Sequence, residues 1–292
     1  MIPDTDPIVV APTPTPFDSE DRVDHDALAR NVERWLKTPL SGFVLGTANG
    51  EELALNDAEK VAIVETVSQA HRKRRFVIAG IDNPSSTETL RLAEAYARAG
   101  ADMVRVRIPR PMSTSAIEAY FLKVTQNSPV PVVMIHQTFT GVPAAPPELI
   151  GDLIKLDNVY GYITDHDIRF EGRVRIFAPE GKKFWICNGG LLLAGAAIGA
   201  NGTCMWLGNI APAICRDIMA LGYDGKVAEA RPLQKLASQM DATIGQYGVT
   251  GVKAALGILG YEGTAPRHPL TALGPANVEE IRFVLGEAGL LD

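Results

Sequence analysis

From the N-terminus to about residue 222 the chain repeats one unit, a short β-rich run followed by a stretch with helical periodicity. The runs are Ile8–Ala11, Gly42–Gly46, Phe76–Gly80, Met103–Ile108, Val130–His136, Val159–Thr164, Phe184–Cys187 and Thr203–Leu207. Parallel strands need a crossover long enough to return over the sheet, so this alternation predicts an α/β protein with a parallel sheet. An open doubly wound sheet would show the same alternation. The count of eight favours closure into a (β/α)8 TIM barrel.

The helical stretches carry their own signals. In His25–Lys37 the apolar Leu28, Val32, Trp35 and Leu36 share a face; Val61, Ile63, Val64 and Val67 do so in Asp57–His71, and Thr87–Arg98 repeats the pattern. Asn56 and Ser86 suit N-caps, with Glu59 and Thr89 three residues on. After the eighth unit the strands stop. Lys226–Gln246, Val249–Leu259 and Ala276–Glu287 read as three helices, which divides the chain into a barrel over 1–224 and a helical appendage over 225–292.

Charge and composition narrow the partners. A net charge of -6 argues against nucleic acid or an anionic membrane surface as the main partner, while a few local arginines can still hold a small anion. No apolar run approaches the roughly 20 residues that span a bilayer, and the start of the chain lacks the basic and apolar regions of a signal peptide. Cys187, Cys204 and Cys215 are too few and scattered for a disulfide framework or a zinc site of cysteines, and read as buried free thiols. The expectation is a cytoplasmic enzyme.

Barrel active sites collect at the C-terminal ends of the strands, so the residues closing each strand carry most weight. His136 closes the fifth strand and can exchange protons near neutral pH; the alternative is a polar side chain hydrogen-bonded within the mouth. Thr164-Asp165-His166-Asp167 closes the sixth, where Asp165 could orient a water or share a metal with His136, or an aspartate could cap the next helix. Arg105 and Arg107 lie two apart in an otherwise apolar strand and so share a face. If that face is the interior, Arg107 can clamp a carboxylate; if it is the helix layer, the pair bridges to acids there. Arg110, beyond the strand, can reach the mouth. The loop Thr47-Ala48-Asn49-Gly50-Glu51 offers backbone N–H groups and an amide to an anion, and Asn188 and Asn209 are further polar rim candidates. Neither Gly46-Xaa-Xaa-Xaa-Gly50 nor Gly189-Gly190 carries the lysine of a P-loop or a dinucleotide pattern.

Six stretches in order resemble the dihydrodipicolinate synthase/N-acetylneuraminate lyase family. They are Thr15-Pro-Phe17; Gly46–Glu51 with Leu55–Glu59; Gly80-Ile81 with Ala93–Asp102; Gly199–Gly202; Gly208–Pro212; and Val252–Leu256 with Arg267–Leu270. The resemblance implies the barrel and a homo-oligomer, a dimer or tetramer. It also implies pyruvate chemistry through a lysine imine closing the sixth strand, a proton-shuttling tyrosine, a Gly-Thr-Thr-Gly-Glu loop holding the carboxylate, and often an arginine at the entrance.

This chain departs from the family at each of those places. The lysine position falls on Ile163, or on Thr164 if one residue is inserted, and neither forms an imine. His136 stands for the tyrosine. Gln137-Thr-Phe-Thr-Gly141 keeps no arginine, the loop hydroxyls fall on Ala48 and Asn49 (or Thr47 and Ala48), and Arg110-Pro111 replaces the aromatic pair. None of the other lysines is placed to enter the mouth. The reading is a lyase-type enzyme, of aldolase or hydratase/dehydratase chemistry, on a small oxo- or hydroxy-carboxylate. His136, Thr164 and Asp165 are its catalytic candidates; Thr47, Ala48, Asn49, Gly50, Arg107, Arg110 and Asn188 are its binding candidates. No cofactor or metal is assigned. The rival readings are a degenerate barrel that binds a carboxylate without turnover, and a metal-dependent aldolase or hydrolase around His136 and Asp165.

Overall fold

Eight parallel strands close on themselves in sequence order, β1 pairing with both β2 and β8 in a computed structural model that describes residues 6–137, 141–164 and 167–291. The strands are β1 Ile8–Pro12, β2 Gly42–Leu45, β3 Phe76–Ile81, β4 Met103–Arg107, β5 Val132–Ile135, β6 Val159–Ile163, β7 Lys183–Ile186 and β8 Gly202–Cys204. Helices α1 (His25–Trp35), α2 (Asp57–His71), α3 (Ser86–Arg98), α4 (Thr114–Asn127), α5 (Pro147–Ile154), α6 (Ile168–Phe177), α7 (Leu192–Ala197), α8 (Leu207–Ile210) and α9 (Pro212–Tyr223) follow strands in turn. The chain ends in α10 (Val227–Gly245), α11 (Gly248–Ile258) and α12 (Pro275–Glu287). The barrel expected from eight βα units is the fold observed, and a helical appendage follows β8.

Local chemistry sets the boundaries. The Asn56 side chain accepts from Glu59 N while Glu59 accepts from Asn56 N, a complete capping box for α2. The cap of α3 is Ser85, whose hydroxyl accepts from Glu88 N, one residue before the serine expected from the sequence. The eighth strand is shorter than its apolar run: pairing stops at Cys204, and Leu207–Ile210 turns into a helix.

Two cores flank the strand wall, because alternate residues face opposite sides. One, inside the barrel, contains Ile78, Met103, Val133, Ile135, Ile163 and Trp185. The other, between strands and helices, takes their neighbours Val77, Val104, Val132, Met134, Tyr162 and Phe184. One irregularity matters for the site. The register between β5 and β6 steps from Val132↔Val159 to Val133↔Gly161, so Tyr160 is the extra residue and Ile163 pairs with Ile135.

Candidate active site

Thr47, Ala48, Asn49, Arg107 and Asn188 meet around one cavity of about 330 Å³ at the C-terminal mouth of the barrel. Arg105, Gln137, Cys187, Cys204, Trp206 and Asp241 complete its polar and aromatic lining. No lysine is among the lining side chains of the described residues.

The loop after β2 is held from behind. Gly46 turns the chain with φ +61°, and Thr15 Oγ1 donates to Gly50 O at 2.7 Å, which keeps Gly50 at the back of the loop rather than on the cavity. Glu51 sits in the left-handed region (φ 59°) and points away from the barrel. Its carboxylate pairs with Lys253 at 2.5 Å and accepts from Arg267 N at 2.8 Å. Arg267 pairs in turn with Glu59, and the ring of Phe17 lies 4.5 Å from Lys253 Nζ and 4.4 Å from the Arg267 guanidinium carbon. Thr15, Phe17, Glu51, Lys253 and Arg267, scattered across the sequence motifs, thus form one brace between loop and appendage. Burial holds the Lys253 ammonium below its usual pKa, and Glu51 opposes the shift. Inside the cavity, Thr47 Oγ1 is buried without a hydrogen-bond partner.

The face of β4 left open by the sequence is the interior. Arg105 and Arg107 are 2% and 8% exposed, and both reach Glu52, which follows Glu51 but turns inward. Arg107 Nη2 lies 3.0 Å from Glu52 Oε1, and Arg105 Nη2 3.5 Å from Glu52 Oε2. Arg107 also pairs with Asp82 at the rim. Glu52, Asp82 and Asp241 were not anticipated, although two arginines inside a strand barrel demand buried acids and Glu51-Glu52 was the available pair. Asp241 reaches the mouth from α10. A Cβ on Gly189 would lie 2.8 Å from its Oδ1, so that glycine lets the helix approach.

His136 stands on the other side of the wall, which corrects the expectation that it opens on the mouth. Alternation along β5 turns Ile135 and Gln137 inward and His136 toward the helices. Fully buried, it stacks on Phe170 with ring centroids 5.0 Å apart, and its Nε2 accepts from Ala144 N at 3.0 Å. Its Nδ1 faces Glu171 Oε1 at 3.9 Å, and Tyr162 donates to the same carboxylate at 3.1 Å. Thr164 is likewise fully buried and off the cavity, its Oγ1 accepting from Cys187 N at 3.3 Å. Asp165, and with it the metal pairing it would make with His136, lies outside the described residues. Among the described residues no three His, Cys, Asp or Glu side chains gather as a metal cluster.

The remaining candidates divide. Asn188 lines the cavity while its Oδ1 accepts from Gly190 N at 2.9 Å. Arg110 does not line it; it is tied to Val142 O in the following loop. Asn209 is structural, donating to Pro12 O at 2.8 Å. Cys187 is partly exposed on the cavity rather than buried as expected, whereas burial pushes the Cys204 thiol up to about 12. Ile163 occupies the interior position that closes β6. It is fully buried beside Ile135 and Trp185.

Fold and cavity together define a (β/α)8 barrel with a polar, arginine-bearing mouth. The chain belongs to the dihydrodipicolinate synthetase family, whose model matches residues 7–287, and the family's relatives are lyases. It is 28% identical over 283 residues to the 4-hydroxy-tetrahydrodipicolinate synthase of Corynebacterium aurimucosum, covering 95% of this chain and 93% of that one. A DapA-like lyase of Halobacterium salinarum, itself uncharacterized, is 29% identical over 289 residues, covering 97% and 94%. The dihydrodipicolinate synthase of Bacillus anthracis superposes with a TM-score of 0.88 at 21% identity, over 96% and 97% of the two chains, a likeness of fold. No helix among the described residues is long and apolar enough to cross a membrane.

Proposed function

We propose that this protein is a lyase acting on a small oxo- or hydroxy-carboxylate, by aldol cleavage or hydration/dehydration, without a lysine imine. Ile163 carries the reading. It packs into the barrel where the family resemblance asks for the amine, and no lysine lines the cavity among the described residues. Without the iminium as electron sink, an enolate must be stabilised by fixed donors. The guanidiniums of Arg105 and Arg107 and the amides of Asn49 and Asn188 are the groups facing it. His136, with Nε2 committed to Ala144 and the strand between it and the cavity, packs β5 against α6. Asp241, the carboxylate lining the cavity among the described residues, takes the proton-moving role. The family resemblance and three free thiols support a cytoplasmic homo-oligomer, and Leu53, 95% exposed beside the mouth, offers a second copy an apolar contact.

Incubation with a pool of oxo- and hydroxy-acids, followed by mass spectrometry, should show depletion of one of them. Treatment with pyruvate and borohydride should leave the protein mass unchanged. A stable pyruvyl adduct would overturn the absence of an imine. A pool left intact, with a ligand that raises the melting temperature, would make the protein a carboxylate-binding barrel. Stoichiometric metal in protein purified without chelator would favour a metal-dependent aldolase or hydrolase.

A further inference from the structure

We infer that the carboxylate of the ligand binds side-on to Arg105 at the floor of the cavity, and that the glycine-rich loop after β2 is a secondary contact. The inference rests on the lyase reading only for the class of ligand, a small monocarboxylate.

Arg105 is 2% exposed, yet its Nε and Nη2 have no hydrogen-bond partner. Its nearest carboxylate oxygen, Glu52 Oε2, stands 3.5 Å from Nη2, well beyond the roughly 2.7–2.9 Å of a good charge-assisted bond. A buried guanidinium left this way is under-compensated, and burial holds its pKa below the usual value with Glu52 opposing. Nε and Nη2 share one edge of the planar group, so their N–H bonds run parallel and match the two oxygens of a carboxylate. Arg105 lines the cavity while Glu52 does not. A carboxylate entering the cavity therefore meets the guanidinium that Glu52 leaves under-compensated.

Gly80 makes the room. A Cβ there would lie 2.8 Å from Arg105 Nη2 and 2.4 Å from Gly46 O. In the loop, Ala48 lacks a hydroxyl, and Thr47 Oγ1 is buried without a hydrogen-bond partner. With the carboxylate on β4, the rest of the ligand extends toward Cys187 and Asn188, which follow β7, and Asp241 of α10.

The test compares pyruvate with pyruvamide, its uncharged analogue, by calorimetric titration of the whole chain. Wild type should bind pyruvate and not pyruvamide. Arg105→Met should weaken pyruvate by about tenfold or more, as loss of a charged double hydrogen bond demands. Arg105→Lys, which keeps the charge without the fork, should fall between, and Thr47→Val should stay within about threefold of wild type. Circular dichroism of the unliganded variants checks the fold, and Arg105→Lys carries the comparison if Arg105→Met does not fold. The inference is overturned if both Arg105 variants keep wild-type affinity while Thr47→Val loses it. It also falls if pyruvamide binds as well as pyruvate, or if none of pyruvate, lactate and 2-oxobutyrate binds wild type. Binding through Arg105 with no acid consumed would sink the lyase reading and leave this one standing; turnover unaffected by Arg105→Lys would do the reverse.

Discussion

The barrel wall carries a buried polar cluster on each side, and the two are built to opposite plans. Inside, Glu52 stands between Arg105 and Arg107, and hydrogen-bond donors are left facing a cavity. Outside, His136 spends Nε2 on Ala144, stacks on Phe170 and faces a carboxylate shared with Tyr162. The inner cluster has unspent valence and space in front of it. The outer one also leaves His136 Nδ1 without a hydrogen bond, but it is fully buried against helix α6 and opens on no cavity. Each lies near the C-terminal end of a strand, so height along the barrel does not separate site from scaffold. Side of the wall does, and a single residue of register changes it.

The largest expected effect tests the support on which the inner cluster depends. Glu51 and Glu52 are neighbours that turn apart, one to the appendage and one into the barrel. Lys253→Met would strand the buried Glu51 carboxylate and should cost about 3–5 kcal/mol in urea denaturation. The double variant Glu51→Gln/Lys253→Met should recover much of that loss, since the uncompensated charge is gone. A single variant as stable as wild type would show that Arg267 alone holds the loop.

Next comes the outer cluster. His136→Ala removes the stack on Phe170 and orphans the Ala144 N–H, and should cost about 2–4 kcal/mol. Pyruvate affinity of the folded fraction should be unchanged, because no atom of His136 lines the cavity. Lost ligand binding or turnover at unchanged stability would put His136 back into the chemistry and erase the contrast between the two sides.

This contrast also marks what the sequence could and could not tell. Strand count, helix faces and the capping box at Asn56 are local or periodic, so the barrel was legible from residue types alone. The parity of Arg105 and Arg107 relative to one another was legible too. Which side they face was not, because absolute parity is fixed by the closed sheet and not by the strand itself. His136 misled for the same reason: the end of β5 was placed correctly, but Ile135 and Gln137 take the inward positions. Glu52 and Asp241 were missed because their roles come from chain segments remote in sequence: a 3-10 turn brings Glu52 to the arginines of β4, and helix α10 brings Asp241 to the cavity.

The smallest effect concerns a second buried histidine of the outer layer. His71, 4% exposed at the end of α2, accepts from Arg75 N through Nδ1 at 3.3 Å and tilts against Phe43. A ring nitrogen that accepts cannot carry a proton, so the native state holds this histidine neutral. Burial lowers its pKa from 6.5, and Asp102 opposes while the nearby Arg74 and Arg75 reinforce the shift. The sign follows from linkage. Because the folded value is the lower one, the unfolded chain takes up the proton first as the solution is acidified. The His71 contribution is then complete above pH 6.5 and declines from there toward the folded pKa. His71→Gln retains an acceptor but cannot titrate, so its stability should fall less steeply below pH 6.5 than that of wild type. Denaturation curves at stepped pH measure the difference; equal slopes would assign the acid limb to another group and leave His71 as packing alone.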